Sequence, residues 1–131
     1  MTQNAISAVS YLAEKYDADG GVRVSSLQIA RKRGLPRPVV AKILTILSQA
    51  GIVSGAPGPN GGYCLARDPA DITLWDVAVI FERSDADIMC PLGPGWCGTG
   101  EQCPLHDGIQ KLREMTEDFL NSQTFEAFKE V

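Results

Sequence analysis

The sequence predicts a mainly α chain with a small β-wing: a winged helix-turn-helix plus a C-terminal dimerisation helix. Three observations carry that expectation. Two short helical patterns, "SLQIARKR" and "VVAKILTILSQAG", are separated only by "LPRP". Two strand-like runs, "IVSG" and "GGYCLAR", follow at once and are joined by the turn residues "APGPN". A last amphipathic pattern begins near Asp107, after a segment dense in cysteine, glycine and proline.

Each element has a local cause. Ile6, Val9, Ala13 and Tyr16 fall at i, i+3, i+7 and i+10, one stripe of a first helix that stops at "DADGG". Ser25 with Gln28 three residues on predicts a capping box for the helix from Ser26, and Gly34 closes it. Proline suits a first helical turn but not an interior, so "LPRP" reads as the turn before the next helix. Val40, Ile43, Leu44 and Leu47 form that helix's apolar stripe, with Gly51 as its stop. Thr73 followed by Asp76 caps a further helix, "LWDVAVIFER", whose Leu74, Val77 and Phe81 share a face. The final helix, from Asp107 to Asn121, aligns Ile109, Leu112, Thr116 and Phe119, and "TFEAF" makes a terminal turn. The chain thus divides into a winged helix-turn-helix over 1–83, a cysteine-rich loop over 84–106, and a dimerisation helix with its C-terminal turn over 107–131.

A length of 131 residues, 44% of them apolar, suffices for one compact unit but not for two independent domains. No apolar stretch approaches the roughly 18 to 20 residues of a membrane span, so no membrane partner is expected. The start, "MTQNAISAVSYLAEKY", lacks the basic and apolar regions of a signal peptide, so a cytoplasmic location is expected. There is no phosphate loop and no serine–histidine pairing, so the chain does not read as an enzyme. Trp75 and Phe81 read as core, Met89 and Met115 as gap fillers, and Cys64 as a small packing residue.

The net charge of −4 conceals a split. From Val22 to Arg67 the basic residues are Arg23, Arg31, Lys32, Arg33, Arg37, Lys42 and Arg67, with no acid among them, so this part carries +7 and the remainder −11. A basic segment of this kind supplies a footprint for phosphates. In a winged helix-turn-helix the second helix enters the major groove of DNA, about 12 Å wide, and the hairpin reaches the flanking backbone. Arg31, Lys32 and Arg33 then end the supporting helix near phosphates, and Arg37 and Lys42 lie on the first turns of the recognition helix. Ser26, Thr45 and, in the wing, Gly58 and Asn60 complete the candidate contacts to double-stranded DNA. The competing reading is a helical domain that happens to be basic.

The segment "MCPLGPGWCGTGEQCPLHDG" holds three of the four cysteines and the sole histidine. Cys90, Cys97, Cys103 and His106 are spaced C-x6-C-x5-C-x2-H. Thiolates are soft ligands that suit iron–sulfur clusters and zinc, and imidazole joins either. The glycines let backbone wrap a compact inorganic core, and the prolines reduce the entropy lost on ordering it. Cys103 and His106, three apart at a helix start, share a face. An iron–sulfur cluster is the favoured occupant, 2Fe–2S over 4Fe–4S; the alternatives are a structural zinc or an unmetallated thiol switch.

"LQIARKRGLP", the "AGIVSG" exit from the second helix, the "GPNGGYCLARDP" wing and the "ITLWDV" helix start, followed by a three-cysteine loop, resemble the winged-helix bacterial transcription regulators of the IscR, NsrR and CymR type, the Rrf2 family. The resemblance covers nearly the whole chain. It implies a homodimeric transcription regulator, read here as a repressor on an inverted-repeat operator. It also implies that DNA affinity responds to an iron–sulfur cluster sensing redox, nitric oxide or cluster status. The cysteine segment sits where several members hold that cluster, between the "ITLWDV" helix and the dimerisation helix. The chain departs from the family pattern at Pro57, where an arginine often precedes the wing turn, and at Pro38, Val39 and Ala41, where the recognition helix often opens with polar residues. The operator of those relatives therefore does not transfer. Gln3 and Asn4 stand near where one subfamily supplies an acidic cluster ligand, and the Cys90 to Cys97 spacing is one residue longer than in IscR-like loops. An adaptor that has lost specific DNA binding is the remaining alternative.

Overall fold

The structure, a computed structural model, describes residues 2–18, 22–56, 61–81 and 104–129. It is mainly helical with one two-stranded antiparallel sheet, as the sequence predicts. In chain order come α1 (Thr2–Glu14), α2 (Ser26–Arg33), α3 (Arg37–Gln49), β1 (Val53–Ala56), β2 (Gly62–Leu65), a 3-10 turn (Pro69–Asp71), α4 (Leu74–Phe81), α5 (His106–Ser122) and a second 3-10 turn (Phe125–Phe128).

α1 is the hub. It packs against α2, α3, β2, α4 and the terminal turn. Its buried residues, Ala5, Ala8, Val9, Ser10, Tyr11, Leu12 and Ala13, occupy far more of the surface than the single stripe read from the sequence. Three of them are alanines, whose small side chains let neighbouring elements approach from several sides. Tyr16, read as part of that helix, lies just beyond its end.

The helix-turn-helix is set by its caps. Ser25, in extended conformation, accepts a hydrogen bond from the Gln28 N–H at 3.1 Å, as a cap should. The other half of the expected box is absent, because the Gln28 side chain donates instead to the Tyr11 hydroxyl at 3.0 Å and ties α2 to α1. Gly34 ends α2 at φ +67°, in the left-handed region that favours glycine, and the Leu35 N–H turns back to the Ala30 carbonyl at 2.9 Å. α3 begins at Arg37, which therefore lies on its first turn as expected, and Pro38 sits in that turn where no N–H is required. Val40, Ile43, Leu44 and Leu47 are buried as predicted.

The wing pairs Val53 with Leu65, Ser54 with Cys64, Gly55 with Tyr63 and Ala56 with Gly62. A further rung comes from far back in the chain: the Val24 N–H donates to the Tyr63 carbonyl at 2.9 Å and the Tyr63 N–H to the Val24 carbonyl at 2.7 Å. Gly62 makes this possible. Its φ is +135°, and a Cβ there would lie 2.9 Å from the Val24 carbonyl oxygen.

The Thr73 and Asp76 box forms reciprocally. The Thr73 N–H donates to Asp76 Oδ2 at 2.9 Å, and the Asp76 N–H to Thr73 Oγ1 at 3.1 Å. Beyond α5 the chain returns to this cap, with the Leu74 N–H donating to the Gln123 carbonyl and the Phe125 N–H to the Ile72 carbonyl. Phe125 is thereby fully buried in the same core as Leu12, Ile43 and Val77, so the terminal turn contributes core packing. Phe81 is half-buried against that core and Trp75 is half-buried, less enclosed than core residues; Met115, expected to fill a gap, is exposed. Cys64 is half-buried with a free thiol. Among the described residues, no helix is long and apolar enough to cross a membrane.

Candidate nucleic-acid interface

The outward face of α3 follows from its inward one. With Val40, Ile43, Leu44 and Leu47 in the core, helical geometry turns Arg37, Ala41, Thr45 and Ser48 outward along one line, and Pro38, Lys42 and Gln49 beside them; all seven are exposed. Thr45 donates its hydroxyl to the Ala41 carbonyl at 3.0 Å, which fixes its rotamer and leaves its oxygen lone pairs outward. Lys42 and Arg37 are solvated, and among the described residues no ion pair engages either of them.

The three cations at the end of α2 do not behave alike. Arg31 and Lys32 are exposed, and at a helix C-terminus their charge complements the helix dipole wherever else it points. Arg33 turns inward. Its Nε donates to the Ser7 carbonyl at 3.2 Å and to Ser10 Oγ at 3.3 Å, and a terminal nitrogen reaches Ser10 Oγ at 3.1 Å and Glu14 Oε2 at 3.2 Å. The guanidinium also lies 5.1 Å from the centroid of the Tyr11 ring. Arg33, read from the charge run as a phosphate contact, is thus committed to locking α2 on α1. Three consecutive residues on a helix point in directions about 100° apart, so a basic run does not present all its members on one face.

Ser26 is the first residue of α2 and half-buried. Gly58 and Asn60 lie outside the described residues. Reading the sequence missed Ser48, Gln49 and Tyr63, which stand with Thr45 around an open concavity between α3 and the wing. Ser48 and Gln49 were within reach, since they continue the spacing of Ala41, Lys42 and Thr45. Tyr63 was not, because its position depends on the hairpin register. Arg23, counted only as part of the basic segment, extends beside the wing to within 3.5 Å of the Ser54 carbonyl.

Of the candidate metal ligands, Cys90, Cys97 and Cys103 lie outside the described residues. His106 is the first residue of α5 and half-buried. Among the described residues no group of three His, Cys, Asp or Glu side chains is placed to hold a metal ion. The donor set itself, three thiols and one imidazole, suits a soft metal centre. α5 buries only Leu120 within the chain and presents Leu112, Met115 and Phe119 to solvent, with Phe119 59% exposed.

Comparison with known proteins agrees with this architecture. The profile of a family described as Rrf2, iron-dependent transcriptional regulator, matches residues 1–130. A protein of Aquifex aeolicus (strain VF5), assigned as an HTH-type transcriptional regulator, is 34% identical over 122 residues, covering 92% of this chain and 82% of its own length. The HTH-type transcriptional regulator IscR of Klebsiella pneumoniae (strain 342) is 30% identical over 96 residues, 73% of this chain and 58% of that protein, so the match spans little more than half of it. Among solved structures, T. potens IscR superposes with a TM-score of 0.73 at 27% identity, covering 95% of this chain and 79% of that one. CymR of B. subtilis gives 0.74 at 23% identity, covering 95% and 89%, and at that identity it attests the fold alone.

Proposed function

This chain belongs to the Rrf2 family of transcriptional regulators, and we propose that it is a homodimeric DNA-binding regulator whose affinity for an inverted-repeat operator responds to an iron–sulfur cluster. The observation that carries the DNA-binding part is the outward face of α3, where Arg37, Lys42 and Thr45 stand exposed beside a wing, in a segment with no acidic residue. Arg37 and Lys42 neutralise phosphates, Arg31 and Lys32 extend the basic surface, and Thr45, with its lone pairs outward, meets a base edge. Arg33 holds the supporting helix in place from behind.

Cys90, Cys97 and Cys103, with His106 as fourth ligand, are the residues to hold a cluster, and 2Fe–2S suits three thiolates and one imidazole. Such a centre supplies a charge state that changes with redox conditions and a bond set that nitric oxide attacks. α4 and α5 border the cysteine segment in sequence, α4 packs on both α5 and α1, and α1 packs on α2 and α3. A change at the segment therefore has a contiguous packed route to the recognition helix. The exposed apolar face of α5 supports self-association: a second copy would cover Leu112, Met115 and Phe119, and two recognition helices about 34 Å apart would read an inverted repeat.

Two measurements test the reading. Anaerobically purified protein is analysed for iron, acid-labile sulfide and zinc: equal iron and sulfide support the cluster, and zinc without sulfide overturns it. Duplexes selected by the protein from a random library are then titrated by fluorescence anisotropy at rising salt. Each of Arg37→Ala and Lys42→Ala should weaken binding and lower the slope of log K against log salt by about 0.9. Failure to select any duplex, or salt-insensitive binding equal in all three proteins, refutes DNA binding.

A further inference from the structure

Between the C-terminal half of α3 and the wing lies a concavity of about 420 Å³, lined by Thr45, Ser48, Gln49, Gly55, Ala56 and Tyr63. Among the described residues, no charged side chain lines it. Its polar groups are three hydroxyls and one carboxamide; Thr45 spends its O–H on the Ala41 carbonyl, which leaves Ser48, Gln49 and Tyr63 to donate hydrogen bonds into it.

Tyr63 is held firmly in this wall. Its backbone exchanges two hydrogen bonds with Val24 on one side and pairs with Gly55 on the other. A Cβ on Gly55 would stand 2.9 Å from Tyr63 Cε1 and 3.2 Å from Cδ1, so the ring lies across bare backbone that any other residue would deny it. The glycine sets the ring's place, and the Val24 rung sets the backbone beneath it.

We propose that this concavity seats a stretch of the sugar–phosphate backbone of bound duplex DNA, with the Tyr63 hydroxyl, flanked by Ser48 and Gln49, as a neutral donor to phosphate oxygen. The proposal rests on the DNA-binding reading and adds to it a site with no cation among its described lining residues. Arg37, Ala41, Thr45 and Ser48 follow one another along α3 at i, i+4, i+8 and i+11, so the cationic start of the face runs directly into the concavity. A phosphate presents acceptors only, and here Ser48, Gln49 and Tyr63 each offer a donor while, among the described residues, no carboxylate opposes them. Hydroxyl and amide donors are ordinary partners of DNA phosphates, where they fix register and orientation. Because they displace no condensed counterions as a cation does, their contribution is independent of salt.

The test uses the full chain, a duplex it selects from a random library and a random-sequence duplex. Tyr63→Phe keeps the ring and removes the donor. Gly55→Ala keeps the donor and pushes the ring aside, and circular dichroism checks that both fold. Each variant should bind about tenfold more weakly, with an unchanged salt slope and the same loss on both duplexes. Wild-type affinity in Tyr63→Phe while Arg37→Ala is weakened overturns this proposal and leaves the DNA-binding reading standing. A loss confined to the selected duplex would mean that Tyr63 reads a base, which also overturns it. If Arg37→Ala binds as wild type and neither responds to salt, the DNA-binding reading itself has failed.

Discussion

Replacing Arg33 by alanine separates a cation that holds the protein together from one that holds DNA. The side chain donates to the Ser7 carbonyl and Ser10 Oγ, pairs with Glu14 at 3.2 Å and lies over Tyr11, with only 23% of its surface exposed. The two donated bonds and the contact with the ring contribute about 2 kcal/mol, and the ion pair little more because solvent reaches both partners. For a chain of this length that loss lowers the thermal midpoint by about 6 to 10 °C. Arg33→Lys should recover little of it, since an ammonium cannot reproduce the planar fork that meets Ser7, Ser10 and Glu14 together. Ser10→Ala combined with Arg33→Ala should cost less than the sum of the single changes, because both remove the same contact. Calorimetry and salt titration of DNA binding make the distinction. A structural lock lowers the midpoint and leaves the salt slope unchanged, whereas a phosphate ligand lowers the slope by about 0.9 with the midpoint intact. An Arg33→Ala protein with unchanged midpoint and reduced slope would refute the assignment.

Three further outcomes are expected. Phe119→Glu places a charge in the apolar face of α5, where Phe119 is 59% exposed in the single chain, and should convert a dimer to a monomer at micromolar concentration by light scattering; a wild type that is already monomeric removes the basis for this. Thr73→Ala removes one half of the reciprocal box at the start of α4 and should cost about 1 kcal/mol in denaturant unfolding, with an unaltered midpoint counting against the cap. His106→Ala should make cluster retention labile, while His106→Cys should retain a cluster of lower reduction potential, because a nitrogen ligand raises the potential relative to an all-thiolate centre. Identical Mössbauer spectra for wild type and His106→Ala would exclude histidine ligation.

What the sequence reveals of this molecule follows the range of the interactions. The Thr73 and Asp76 box, the Ser25 cap and the Gly34 terminator are contacts between near neighbours, so residue identity and spacing suffice to read them. Pro38 signals both a turn and a first helical turn, and in the structure it stands in the first turn of α3. Three other features depend on residues far apart in the chain. Val24 completes the wing through Tyr63, Phe125 enters the core through the Ile72 carbonyl, and Gln28 abandons its own cap for Tyr11. None of these leaves a periodic mark.

The candidate interface divides along the same line, and the division bears on how specificity is built. Arg31, Lys32, Arg37 and Lys42 are legible as charge, because a solvated cation needs no partner to be recognised. Arg33 belongs to the same run and does different work, since its direction is decided by α1, whose Ser7, Ser10, Tyr11 and Glu14 carry no functional signal of their own. That arrangement makes the lock on α2 a property of α1, the same helix that packs on α4, which precedes the cysteine segment in sequence. A displacement of α1 by α4 would therefore be felt first at Arg33, and through α2 and its short turn at the placement of Arg37 and Lys42. On this account Arg33→Ala should do more than lower stability. It should shrink the difference in DNA affinity between cluster-loaded and cluster-free protein, even where both forms remain folded at the assay temperature. If that difference is preserved while the midpoint falls, the lock contributes stability alone and the coupling runs through α3 and the wing instead.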